Sequence, residues 1–147
     1  MKHTKKAFTL IEVLLVIVII AILAGIVIIA VNPARQISQA NNTQRSSDTK
    51  AILDAVWEYA VDNRGVLPTE ITATATEVGS DAAEIDICTY LVPTYISSMP
   101  VDPTDAAAAY TDCTSYHTGY NISVDTDGRV TVAAPSAELS ETISITR

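Results

Sequence analysis

Aromatic residues are scarce in this 147-residue chain, at 5%: one Trp, one Phe and six Tyr. Two cysteines and two histidines exclude a Cys/His-rich metal cluster and most nucleophilic constellations built on those side chains. Glycine is limited to five residues, and no Gly-rich phosphate-binding loop is present. Positive charge is also in short supply. Lys and Arg total 9 against 17 Asp and Glu, for a net charge of -8. Neutralising phosphates takes clustered basic residues, so direct nucleic-acid binding is not expected. Neither an enzymatic activity nor a cofactor is expected from what remains. The chain is long enough for one domain. Against these scarcities stands 48% apolar residues. The surplus is aliphatic and concentrated in one place, Phe8 to Val31.

That run is interrupted by one charge, Glu12. As a helix it spans roughly 36 Å, against about 30 Å for a bilayer's hydrocarbon core. A core helix in so small a domain is rarely apolar on every face over this length, which points to a membrane-embedded helix. Lys2, Lys5 and Lys6 precede the run, and the next basic residue is Arg35. The positive-inside rule then places the N-terminus in the cytoplasm and residues after about 33 outside. A cleaved secretory signal is the rival. Its apolar core would be only about 7–15 residues, ending at a small-residue site, and Ala30-Val31-Asn32 lacks the second Ala of such a site. A carboxylate near the centre of a membrane helix costs up to ~3 kcal/mol, and less near an end. Glu12 therefore either reaches water at the cytoplasmic surface or has a cationic partner.

Lys5-Lys6-Ala7 followed by Phe8-Thr9-Leu10-Ile11-Glu12 and an aliphatic helix resembles the prepilin leader and processing site of the type IV pilin and type II secretion pseudopilin superfamily. The resemblance covers residues 1–31. It implies that a membrane prepilin peptidase cuts between Ala7 and Phe8 and methylates the new Phe8 amine. It also implies that Glu12 pairs with the Phe8 amine of a neighbouring subunit during filament assembly. That pairing supplies the cation, and a buried carboxylate is costly unless paired. Ala7 stands where the family usually has Gly, and Ala is the next smallest residue. Losing the leader removes three lysines and makes the chain more acidic still.

Gly25 lies inside the apolar helix and Asn32-Pro33 follows it. Proline removes a donor and clashes with the preceding turn, so a kink or local melting is expected across Ala30 to Pro33. The family's helix-bending proline would fall at Ile29, one turn earlier. Gly25 and Pro33 are the candidates to permit melting; Gly25 can also serve close helix packing. Helical spacing of Ile37, Ala40, Ala51, Ile52, Ala55, Val56, Tyr59 and Ala60 continues to about Asn63, although residues 41–48 are polar all round. Asp62-Asn63-Arg64-Gly65 is a stop signal, with Gly65 expected at the first position past the helix. Trp57 and Tyr59 read as core or helix–sheet contacts. The stretch Tyr59 to Pro68 again resembles the superfamily, in its helix exit.

Residues 69–84 show no clear period and read as a loop with at most a short helix. Leu91-Val92-Pro93-Thr94-Tyr95-Ile96, ending in Pro100-Val101-Asp102-Pro103, resembles the segment leading into the sheet of major pseudopilins and of many Gram-positive-type pilins. Its prolines enforce an extended connection. Tyr116, Thr118, Tyr120, Ile122 and Val124 alternate as one face of a strand, Asp125 to Gly128 form a turn, and the strand returns over residues 129–134. Residues 142–146 are either a last short strand or a loose tail. The expected fold class is α+β and type IV pilin-like: a long kinked N-terminal helix, membrane-embedded in its first half, packed on a small antiparallel β-sheet head. Its parts are a leader (1–7), a transmembrane and filament-core helix (8–33), an amphipathic head helix (34–63) and an extracytoplasmic head (64–147).

Cys88 and Cys113 both fall on the expected outside, where oxidation favours a disulfide; the alternative is two buried thiols. Asp125 and Asp127, with Asp102 or Asp105, are weak calcium candidates; Asp125 to Gly128 reads first as a hairpin turn, and a distal Glu ligand is missing. His3 lies in the leader and His117 stands alone on a strand. Ser47-Asp48 reads as helix surface. The expected function is a structural one: the major pilin of a type IV pilus-like extracellular filament. The resemblance implies as partners further copies of the chain, prepilin peptidase, a pilus assembly ATPase and a platform protein. It implies a single-pass cytoplasmic-membrane precursor and a cell-surface filament. The alternatives are the major pseudopilin of a type II secretion system and, in another class, a non-polymerising single-span tethered binding domain.

Overall fold

An unbroken aliphatic stretch has one stable answer in an apolar medium, a helix that satisfies its own backbone. In the computed structural model, which describes residues 8–147, α1 runs Leu10–Val31. The leader, with Lys2, Lys5, Lys6 and Ala7, lies outside the described residues. The 22 residues of α1 extend about 33 Å, enough to cross a bilayer core. Apart from Glu12 in the first turn, Leu10 to Ile28 carries no charged side chain, and none of that span is buried.

The helix ends where Asn32 enters the left-handed region at φ 45°. A second helix, α2, starts at the next residue and runs Pro33–Asp62. Proline is tolerated there because the first amide of a helix has no intrahelical acceptor. The Arg35 amide donates to Asn32 Oδ1 at 3.3 Å, so Asn32 caps the start of α2. The backbone break thus falls at Asn32, while Gly25 sits within regular helix.

The described residues divide into two compact units, the first ending at Ile37 and the second running Ser38–Arg147. The second is built around α2 from Ser38 onward. Its inward stripe changes character along its length: Asn42, Arg45, Asp48 and Thr49 first, then Ile52, Leu53, Val56 and Ala60. All are buried and recur at helical intervals. The helix closes with paired bonds, the Gly65 amide to the Ala60 carbonyl at 2.7 Å and the Arg64 amide to the Val61 carbonyl at 3.4 Å. Arg64 (φ 60°) takes the left-handed position expected of Gly65, and Gly65 (φ 87°) follows in the same region.

Five antiparallel strands form the sheet. They are β1 (Thr76–Gly79), β2 (Ala109–Asp112), β3 (Ser115–Val124), β4 (Val130–Ala134) and β5 (Ile143–Thr146), with a one-turn helix α3 (Cys88–Leu91) between β1 and β2. The main order is β1-β3-β4-β5, and β2 pairs with the first residues of β3. The alternating face of β3 is the buried one: Tyr116, Thr118, Tyr120 and Ile122. Facing them on β4 are Val130, Val132 and Ala134. With Val78, Ile85, Ile87, Leu91 and the apolar end of the α2 stripe they make one core. Trp57 and Tyr59 pack at its margin, Tyr59 edge-on to Tyr90 at 5.4 Å.

Three elements depart from the sequence expectation: residues 69–84, read as a loop with at most a short helix, hold β1, and β2 and α3 were not anticipated. Of the two readings of the C-terminal segment the strand holds, as β5 paired with β4. An apolar N-terminal helix, a second helix and an antiparallel sheet make an α+β layout, consistent with the expected type IV pilin-like fold.

Candidate functional site

The processing region lies at the start of α1. Phe8 is 84% exposed and precedes the first helical residue. Thr9 is the N-cap, and Glu12 completes a capping box with it. The Glu12 amide donates to Thr9 Oγ1 at 3.3 Å, and Glu12 Oε2 accepts the Thr9 amide at 2.9 Å and the Thr9 hydroxyl at 2.8 Å. The carboxylate is therefore turned back toward the N-terminal end of the helix. Both bonds fall on Oε2, so Oε1 accepts none among the described residues. The Ala7 side of the expected cut is outside the described residues.

Cys88 and Cys113 are joined in a disulfide, with Cα atoms 5.3 Å apart. The bond ties α3 to the turn between β2 and β3. The same junction is held by Tyr116, whose hydroxyl accepts the Ile87 and Cys88 amides at 3.2 and 3.3 Å and donates to Asp86 at 2.8 Å. Burial raises the Tyr116 phenol above its ordinary value, and the Asp86 bond raises it further.

The calcium candidates separate into different settings. Asp125 and Asp127 occupy the β3–β4 turn. Asp125 accepts the Asp127 and Arg129 amides at 2.8 and 2.9 Å and the Arg129 Nε at 3.0 Å. These bonds, the Arg129 amide first, hold its carboxyl below the usual value. Arg129 also reaches Asp127 at 3.3 Å, so both carboxylates serve their own hairpin. Asp102 belongs elsewhere. Arg45, at 0% exposure, forks onto it, Nε to Oδ2 at 2.7 Å and Nη2 to Oδ1 at 3.0 Å. Arg45 Nη1 donates to Glu138 Oε2 at 3.0 Å and to Asn42 Oδ1 at 2.9 Å. Burial pushes Asp102 up, but Arg45 and the Thr104 and Asp105 amides outweigh it and hold the carboxyl low.

Two further sequence expectations need correction. Ser47 is exposed, but Asp48 is buried: it accepts the Tyr120 hydroxyl at 2.8 Å and Gln44 Nε2 at 2.7 Å. Burial raises its carboxyl despite those bonds. His117 is not alone either. It points away from the core face of β3, where Nε2 meets Glu77 Oε1 at 3.0 Å and Nδ1 pairs with Glu84. Glu77, Asp105 and His117 offer ligand atoms within 4.8 Å of one another. Glu77, Glu84 and Arg45 escaped the sequence reading. The outward phase of His117 in an alternating strand was the one available signal, because it demanded polar neighbours on that face.

Residues 2–28 match the family model described as the prokaryotic N-terminal methylation motif. No curated protein and no solved structure gives a significant match. The motif and the apolar helix fit a membrane-anchored precursor, cut by prepilin peptidase and assembled into a surface filament. The chain thus carries, over residues 2–28, the prepilin-type cleavage and methylation signature of type IV pilin-like and pseudopilin precursors.

Proposed function

We propose that this chain is the major structural subunit of a type IV pilus-like extracellular filament. The observation that carries the reading is one segment with two properties: the prepilin signature runs into a helix with no polar face. Such a helix is stable in lipid, or among copies of itself once it leaves lipid. The precursor sits with Lys2, Lys5 and Lys6 in the cytoplasm and the head outside. The peptidase cuts before Phe8 and methylates its amine. Glu12, already turned toward the helix start by Thr9, pairs with the Phe8 amine of a neighbour and sets register. An assembly ATPase and a platform protein drive extraction from the membrane. The head supplies surface rather than catalysis, and its disulfide suits an oxidising exterior.

Intact-mass and N-terminal mass spectrometry on protein sheared from cell surfaces tests this. The expected result is a chain beginning at N-methyl-Phe8 in the sheared fraction. A chain retained in the membrane with Met1 still attached would overturn it and favour the tethered-domain reading. The major pseudopilin is the second reading, supported by the proline-rich Leu91 to Pro103 segment. Deletion of the gene separates the two: loss of surface filaments favours the pilus, and loss of protein secretion favours the pseudopilus.

A further inference from the structure

We propose that the outer face of the β1–β3 pair is a binding site for one divalent transition-metal ion of the zinc class, with His117 Nε2, Glu77 and Asp105 as its protein ligands. The site goes beyond the filament reading and does not depend on it. Three separate segments converge there: β1 brings Glu77, β3 brings His117, and the loop after Pro103 brings Asp105. His117 is 29% and Glu77 30% exposed at the side chain, which leaves the site open to an ion from solvent.

Carboxylates flank both ring nitrogens: Glu84 pairs with Nδ1, and Glu77 Oε1 lies 3.0 Å from Nε2. A carboxylate on the far nitrogen is the usual outer-shell arrangement for a metal-bound histidine. Glycines make room for it. Gly79 faces His117 across the β1–β3 ladder, and any side chain there would occupy the space of the Glu84 carboxylate. Gly119, at φ +77°, lets the Asp102–Asp105 loop close over β3; a Cβ would meet the Asp102 Cβ at 2.8 Å. The Gly119 amide also fixes Glu77 Oε1 at 2.8 Å, and the Ala107 amide holds Asp105 Oδ1 at 2.9 Å.

Metal chemistry selects the ion. A tetrahedral zinc site takes nitrogen and oxygen ligands at about 2.0–2.2 Å, with its donors roughly 3.3 Å apart. The His117–Glu77 pair, at 3.0 Å, is close to that spacing, and Asp105 offers an oxygen within 4.8 Å of both. Imidazole suits zinc and its neighbours, whereas calcium asks for six to eight oxygens. The bound ion would staple β1, β3 and the Asp102–Asp105 loop together, with water in the fourth position.

Titration calorimetry on the full chain in detergent micelles, stripped with chelator, tests the site. A His3→Gln background leaves His117 as the sole imidazole. The expected result is one Zn2+ per chain, not displaced by equimolar Ca2+. His117→Gln should weaken binding by at least about tenfold, and Glu84→Gln by roughly tenfold, as for an outer-shell partner. Unchanged Zn2+ binding in His117→Gln, or displacement by equimolar Ca2+, overturns the proposal. Metal-free thermal melts check each variant's fold. Should His117→Gln not fold, 15N spectra of the His3→Gln chain decide: the imidazole Nε2 resonance must shift on adding Zn2+, and an unmoved resonance overturns the site.

Discussion

Arg45 shows how much one side chain can hold. It is fully buried on α2, with Asp102, Glu138, Asn42 and Thr104 around its guanidinium. Arg45→Met leaves Asp102 buried without its partner. The expected loss is about 3–5 kcal/mol of unfolding free energy, measured from urea denaturation midpoints. Asp102 also makes stability pH-dependent, with a sign that follows from its lowered carboxyl. Its contribution is present above the unfolded value of about 3.9 and is lost as pH falls through the lower folded value. Asp102→Asn should therefore be less stable than the parent at neutral pH and flatten the acid limb of the stability profile below about pH 4. An equally steep acid limb in that variant would assign the dependence to other carboxylates. Asp48 works in the opposite sense: its raised carboxyl favours the protonated form in the fold, so it does not add to the acid lability.

At the scale of elements, the disulfide between α3 and the β2–β3 turn closes a loop spanning 25 positions. A loop of that length contributes roughly 3 kcal/mol through the unfolded state. Cys88→Ala with Cys113→Ala should lower stability by about that amount, read as a fall in the melting midpoint, while far-ultraviolet circular dichroism keeps its helix and sheet signal. Elements differed in how plainly the sequence announced them. β3 and β4 were legible because each alternates over enough residues, with Asp-Gly marking the turn between them. β1 and β2, four residues each, are too short to show a period, and their pairing with β3 is what makes them strands. The polar half of the α2 stripe was misleading for another reason. Asn42, Arg45 and Asp48 look like solvent-facing residues until the Asp102 loop and the turn at Glu138 supply partners.

For the whole molecule, the filament reading turns on Glu12. Glu12→Ala leaves an apolar helix that still enters the membrane and still presents Phe8 for cutting. The expected outcome is normal processing, seen by mass spectrometry of membranes, with the sheared surface fraction reduced to near background. Unchanged yield of surface filaments in that variant would remove Glu12 from assembly.

The sequence by itself determined the apolar helix, the processing signature, the place of the helix break within a residue or two, and the β3–β4 hairpin. These depend on local patterns: a run of one polarity, a short motif, a residue with restricted backbone, an alternation of period two. Tertiary structure decided what long-range proximity controls. It buried Arg45 beside Asp102, set Asp48 against Tyr120, and gathered Glu77, Glu84 and Asp105 around His117. Each of these pairs groups far apart in the chain, and whether a polar side chain meets water or a buried partner is settled only when distant segments pack.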